Sequence, residues 1–281
     1  MQMSLDIKNV GMVYETESGH IQALDQVNLQ IRDGEFICVV GPSGCGKSTL
    51  LNIIAGLEHA TDGEVLLDGQ RITAPGPDRA VMFQEAALYP WMRAVENVEF
   101  GMKAAGVPPQ ERHQRAMKYL DLVRLKSFAQ AYPHELSGGM RQRVALARAL
   151  TLDSKVLLMD EPFAALDSQT RNILQLELQH IWMETKKTIF FVTHNVEEAV
   201  MLADRVIVFS AHPGHVKKVI KIELARPRQR GSIDLTFYVK SVMKDLAEEV
   251  EKVAKKEYGD NWSFEDDTVL YNPDSDMGAY L

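Results

Sequence analysis

The chain has 281 residues, a formal net charge of −8, 46% hydrophobic and 25% charged residues, an ordinary globular balance that suits one large or two modest domains. The acidic excess argues against a protein that tracks along nucleic acid, and no run of about eighteen apolar residues exists to span a membrane. The first residues, Met1 to Asp6, lack the basic and apolar regions of a signal peptide, so a cytosolic setting is expected, and two cysteines make no disulfide framework.

Residues 1–34 read as short strands with turns at Glu17–His20 and Asp33–Gly34. Glu35 to Val40 is an apolar run that reads as a buried strand. It leads into Gly41-Pro42-Ser43-Gly44-Cys45-Gly46-Lys47-Ser48-Thr49, and Leu50 to Ala55 then reads as a helix. Strand, glycine loop and helix in that order are the context of the phosphate-binding pattern G-x-x-x-x-G-K-[ST]. Glycines let backbone N–H groups close around a polyanion, and the helix start adds unpaired donors and a positive dipole end. Lys47 supplies a point charge for the β- and γ-phosphates, and the Ser48 hydroxyl is placed for Mg²⁺. Cys38 reads as a small core residue; Cys45, beside Lys47 and the helix start, is either a thiol of lowered pKa or an inert filler.

Glu64 to Leu67, closed by Asp68-Gly69, and Arg79 to Phe83 are further strands, and the second ends at Gln84, an amide within reach of a metal ion and a water. From Ala86 to Leu152 the pattern is helical, with breaks at Pro108-Pro109 and Tyr132-Pro133. Within it, Ala86 to Met92 carries Tyr89 and Trp91, which suit a docking surface or the core equally. Leu136-Ser137-Gly138-Gly139-Met140-Arg141-Gln142-Arg143 opens an Ala- and Leu-rich helix to Leu150. Ser137 is a good N-cap, and Gly138 and Gly139 leave the first N–H groups approachable, a second anion site. Arg141, Arg143 and Arg148 read as a solvated face of that helix.

Lys155 to Asp160 is a strand ending in Asp160-Glu161-Pro162. Ligands of open α/β sheets sit at the carboxyl ends of strands, so Asp160 is expected to hold Mg²⁺ and Glu161 to orient or deprotonate a water. A third such strand, Thr188 to Thr193, ends at His194, placed to bond a γ-phosphate. The sheet pattern continues to about Ile222. Val239, Val242, Met243, Leu246, Val250 and Val253 then recur at helical spacing, which predicts a helix lying on the core or on a dimer mate. The last stretch is acidic (Asp260, Glu265, Asp266, Asp267, Asp274, Asp276) yet carries Trp262, Phe264, Tyr271 and Tyr280, and suits a docked or regulatory segment.

Together these motifs, from about Leu5 to Gly214, resemble the ATP-binding subunits of ABC transporters. The resemblance implies a P-loop NTPase (RecA-like) α/β core with an antiparallel β subdomain and an inserted α-helical subdomain, plus a C-terminal helical extension. The expected division is 1–85 with 155–225 as the core, 86–154 as the helical subdomain and 226–281 as the extension. It also implies that Tyr14 stacks on adenine, that Ala165-Leu166-Asp167 is the D-loop, and that Ser137, Gly138 and Gly139 meet ATP held by a second copy. Glu161, His194 and Gln84 become the expected catalytic residues, with Ser48, Gln84 and Asp160 around Mg²⁺. Tyr89-Pro90-Trp91, Asp160 to Asp167 and Ser210-Ala211-His212-Pro213-Gly214 resemble the nitrate, sulfonate and taurine importers more narrowly. The expected assembly is a homodimer on the cytoplasmic face of the inner membrane. It joins permease subunits, is served indirectly by a substrate-binding protein, and involves no nucleic acid. A lipid-transport ATPase and a soluble ABC-type ATPase are the alternatives.

Overall fold

The computed structural model describes residues 3–17 and 19–258; the acidic aromatic stretch from Asp260 to Tyr280 lies outside the described residues. The chain divides into two compact units, Met1–Pro75 with Lys187–Leu281, and Gly76–Lys186.

In the first unit, Met3–Thr16 (β1) and Gly19–Arg32 (β2) form an antiparallel pair extended by Asp62–Leu67 (β4) and Gln70–Arg71 (β5), in the order β2-β1-β4-β5. Two strands of fourteen residues replace the short strands expected there. The pairing slips between Ile7 and Val10 and again up to Met12 and Val13, and Asn9 takes a φ of 48°. Each slip resets the two-residue alternation, so one long bent strand reads in sequence as several short ones.

Phe36–Val40 (β3) lies parallel to Thr188–Val192 (β8) on one side and to Arg205–Phe209 (β9) on the other, and Val216–Lys221 (β10) runs antiparallel to β9. Every residue of β3 and β8 is buried, which is why both read as unbroken apolar runs rather than alternating ones. Lys47–Ala55 (α1) follows β3, and Val196–Leu202 (α6) packs on it. Ile233–Tyr258 (α7) lies on α6 and β9, burying Leu235, Val239, Val242, Leu246, Val250 and Ala254. The periodic stripe therefore faces this unit's own core. Each such aliphatic side chain contributes roughly 1.5–3 kcal/mol of burial.

The second unit is built on the parallel pair Arg79–Met82 (β6) and Val156–Asp160 (β7). Between them run Ala94–Ala104 (α2), Pro109–Leu122 (α3) and Gly138–Leu150 (α4), which pack on one another, and Ser168–Thr185 (α5) follows β7. Among the described residues no helix is long and apolar enough to cross a membrane.

Candidate active site

The 41–49 loop wraps around its own lysine. The Lys47 ammonium is 6% exposed and donates to the carbonyls of Gly41 and Pro42, both at 2.8 Å. Those acceptors are neutral, so the loop carries a net positive charge at its centre. Gly46 caps α1 with a φ of 91° and no side-chain cap bond, and the first turn has no acid to screen the dipole. A Cβ at Gly46 would stand 2.6 Å from Leu24 Cδ2 and 2.8 Å from the Ala23 carbonyl, so shape and dihedral both require glycine there. A buried cation, a dipole end and bare amides suit a phosphate.

Cys45 is buried, and burial pushes its thiol up, although nearby Lys47 pulls the other way. Desolvation outweighs the cation, which favours the inert filler over a thiol of lowered pKa. Tyr14 donates its hydroxyl to Glu58 Oε2 at 2.5 Å and lies 3.3 Å from Thr49 Oγ1. Its ring is thereby held beside the start of α1. Burial raises the Tyr14 pKa, and the Glu58 contact adds to that.

His194 leaves the sheet at the edge where the phosphate loop begins, because β8 pairs with β3 and the Thr193 N–H bonds the Val39 carbonyl at 3.2 Å. Both its neighbours are fixed. Thr193 Oγ1 donates to Glu198 at 2.5 Å and accepts the Asn195 N–H at 3.0 Å, while Asn195 caps α6 by accepting the Glu198 N–H at 2.9 Å. Tyr14, residues 41–49 and His194 thus belong to the first unit.

The remaining candidates belong to the second. β6 and β7 are parallel with Met82 opposite Met159, so Gln84 and the Asp160–Glu161 pair leave the same end of that pair. Glu161 sits in the left-handed region at φ 44°. For a residue with a Cβ that costs about 1–2 kcal/mol, and such strain concentrates at functional positions.

Ser137 caps α4, its hydroxyl accepting the Met140 N–H at 3.3 Å. The two glycines after it differ. A Cβ on Gly138 would meet nothing closer than 3.9 Å, whereas one on Gly139 would stand 2.3 Å from Thr170 Cγ2 of α5. Asp167 caps α5 by accepting the Thr170 N–H at 3.0 Å, and that bond holds its carboxyl below the usual range. Thr170 therefore joins the 137–139 turn to Asp167.

The arginines of α4 are not a solvated face. Arg141 bonds the Leu136 carbonyl at 2.6 Å, Arg143 reaches the Val123 carbonyl at 3.5 Å, and Arg148 bonds those of Ala86 and Ala87 at 2.9 and 2.8 Å. Gln142 Nε2 donates to the Gln84 carbonyl at 2.6 Å. Residues 84–87 are therefore strapped to α4. Buried Asn97 fixes the next turn, accepting the Tyr89 N–H and donating to the carbonyls of Tyr89, Met92 and Arg93. Trp91 is 70% exposed, and Tyr89 lies 5.7 Å from its ring and 4.4 Å from that of Phe100, which places this aromatic group at the surface. Sequence reasoning missed Glu58, Gln142 and Arg148 as supports. Only their proximity in the fold reveals them.

The ABC transporter family matches residues 24–164. An uncharacterised ABC transporter ATP-binding protein of Methanocaldococcus jannaschii is 51% identical over 255 residues, 91% of this chain and 96% of that protein. The nitrate import ATP-binding protein NrtD of Synechocystis is 50% identical over 222 residues, 79% and 84% of the two chains. The aliphatic sulfonates import ATP-binding protein SsuB of Bacillus cereus is 43% identical over 246 residues, 87% and 96%. Among solved structures, the dimeric post-hydrolysis state of the ATP-binding cassette MJ0796 bound to ADP and Pi matches with a TM-score of 0.70 and 36% identity, over 79% of this chain and all of that one.

Proposed function

This chain belongs to the ABC transporter family as an ATP-binding subunit, a P-loop ATPase, and from that premise we propose that two copies close head to tail on two ATP molecules and drive a membrane importer. The cargo class we propose is a small oxyanion or organic anion such as nitrate, a sulfonate or taurine. The observation that carries this is the identity of 50% and 43% to nitrate and sulfonate import subunits over most of each chain. The copies would act at the cytoplasmic face of the membrane, bound to permease subunits that a substrate-binding protein supplies.

In this reading Tyr14 stacks on adenine, and Gly41 to Thr49 hold the phosphates, with the Lys47 ammonium turning from its own loop carbonyls to phosphate oxygens. Ser137, Gly138 and the exposed start of α4 close on the nucleotide of the other copy, and Asp167 lies beside that closure. Glu161 orients the attacking water and takes its proton, His194 holds the γ-phosphate, and Gln84 senses both. Ser48, Gln84 and Asp160 form a donor set with a single carboxylate, which suits a hydrated Mg²⁺ that offsets phosphate charge. Positioning and charge stabilisation are most of what phosphoryl transfer asks of a protein.

The test is co-purification from membranes with mass spectrometry of what accompanies the chain, paired with uptake assays in a strain lacking its own nitrate or sulfonate import ATPase. Recovery of a permease together with restored uptake supports the reading. A chain that hydrolyses ATP, recovers no membrane partner and restores neither uptake is not this importer's subunit.

A further inference from the structure

The turn between β9 and β10 touches the phosphate loop from below. Ser210 closes that turn: its N–H bonds the His215 carbonyl at 3.0 Å, and its hydroxyl donates to the Pro213 carbonyl and accepts the His215 N–H, both at 2.9 Å. Gly214 donates to the Ala23 carbonyl and accepts the Asp25 N–H, both at 2.9 Å. A Cβ on Gly214 would fall 2.0 Å from the Cys45 carbonyl, so turn and loop are in backbone contact. Ala23 and Gly214 are the floor on which Cys45 and Gly46 rest.

The same turn is held from outside by α7. Glu249, 1% exposed, accepts the Ala211 N–H at 2.7 Å and pairs with Lys217 at 2.9 Å and Lys252 at 2.7 Å. Lys217 also donates to the Asp245 carbonyl at 2.8 Å, which anchors β10 to the helix. A buried carboxylate is tolerated only when its oxygens are satisfied, and here they are. Ser43 and Gly44 face Lys252 and Lys256 across a cavity of about 690 Å³, so at that point helix and phosphate loop stand apart and the tie runs through Ala211.

We propose that Glu249 is a positioning residue for nucleotide binding: by fixing the Ala211–Gly214 turn it fixes the floor beneath Cys45 and Gly46. This rests on the reading of residues 41–49 as the nucleotide cradle. Losing one charge-assisted bond in such a relay raises the KM for ATP about tenfold, while kcat, set by Glu161, stays within about twofold of the parent.

The experiment measures steady-state ATP hydrolysis and calorimetric ATP affinity on the full chain. Glu249→Ala is expected to raise KM and weaken affinity in parallel. Glu249→Gln keeps an acceptor for the Ala211 N–H and is expected to recover most of the loss. Lys218→Ala removes the 2.7 Å pair with Asp245, another tie between β10 and α7, without touching the turn, and leaves KM unchanged. Should Glu249→Ala fail to fold, Ala211→Pro removes the donor from the other side of the same bond and must raise KM likewise. Parental KM in Glu249→Ala or Ala211→Pro, or an equal shift in Lys218→Ala, overturns the proposal. Lys47→Ala separates the two readings: if it keeps parental affinity, the cradle assignment itself is wrong.

Discussion

The molecule carries two glycine-rich elements whose backbone suits an anion, and they are built differently. At 41–49 the chain encloses a cation: Lys47 is buried, and Gly46 has neither the room nor the dihedral for a side chain. At 137–139 it exposes a capped helix start whose nearby cation, Arg141, is spent on the Leu136 carbonyl at 2.6 Å, and of its two glycines only Gly138 has room for a Cβ. On the proposed reading, the first would hold an anion with groups of one chain alone. The second offers backbone donors and a dipole end beside an arginine already engaged by a carbonyl, and so suits an anion already held elsewhere.

That contrast can be broken at its strongest point with Glu161→Gln. It is expected to lower kcat by about a hundredfold or more while keeping ATP affinity, and to accumulate an ATP-bound dimer on size-exclusion chromatography. Unchanged hydrolysis would remove Glu161 from the chemistry, and a hydrolytically dead variant that stays monomeric with ATP would leave the 137–139 element without its anion. Next, Lys47→Ala should weaken calorimetric ATP affinity by about ten- to a hundredfold, since one charged donor contributes roughly 1.5–3 kcal/mol. The glycines then sharpen the comparison. Gly139→Ala should cost about 1–3 kcal/mol in urea unfolding because its Cβ meets Thr170. Gly138→Ala should leave stability within about 0.5 kcal/mol and reduce hydrolysis alone. Equal stability loss in both would erase the distinction drawn between them.

The smallest effect expected is acid stability. Burial would raise the Glu249 carboxyl, yet Lys252, the Ala211 N–H and Lys217 outweigh it and bring it from its ordinary 4.5 to about 2. A depressed acid contributes stability above its unfolded value and loses it as pH falls through the folded one. The parent should therefore lose stability between about pH 4.5 and 2 more steeply than Glu249→Gln, as followed by circular dichroism. Parallel curves would mean that this carboxylate is not depressed.

Much of this was legible from residues alone. The strands at 35–40, 156–159 and 188–193 are buried on both faces, so their apolar runs are unambiguous, and the phosphate loop and the 137–143 turn carry their chemistry in their spacing. What failed did so because its determinant lies far off in sequence. Arg148 reads as a solvated cation until the carbonyls of Ala86 and Ala87, about sixty residues away, are brought to it. Cys45 stays open between a lowered-pKa thiol and a filler until its burial is known. Gly139 reads as one of a bare pair until Thr170 arrives from the next helix. Trp91 could be placed only once its surroundings existed.

The strap between residues 84–87 and α4 has a mechanical consequence. Gln142 and Arg148 hold the carbonyls of Gln84, Ala86 and Ala87, and Asn97 clamps the turn carrying Tyr89 and Met92 just beyond. On the function proposed above, a partner seated at the Trp91 surface would act on α4 through these bonds. The exposed aromatic group and the capped helix start would then be two ends of one tied piece of chain.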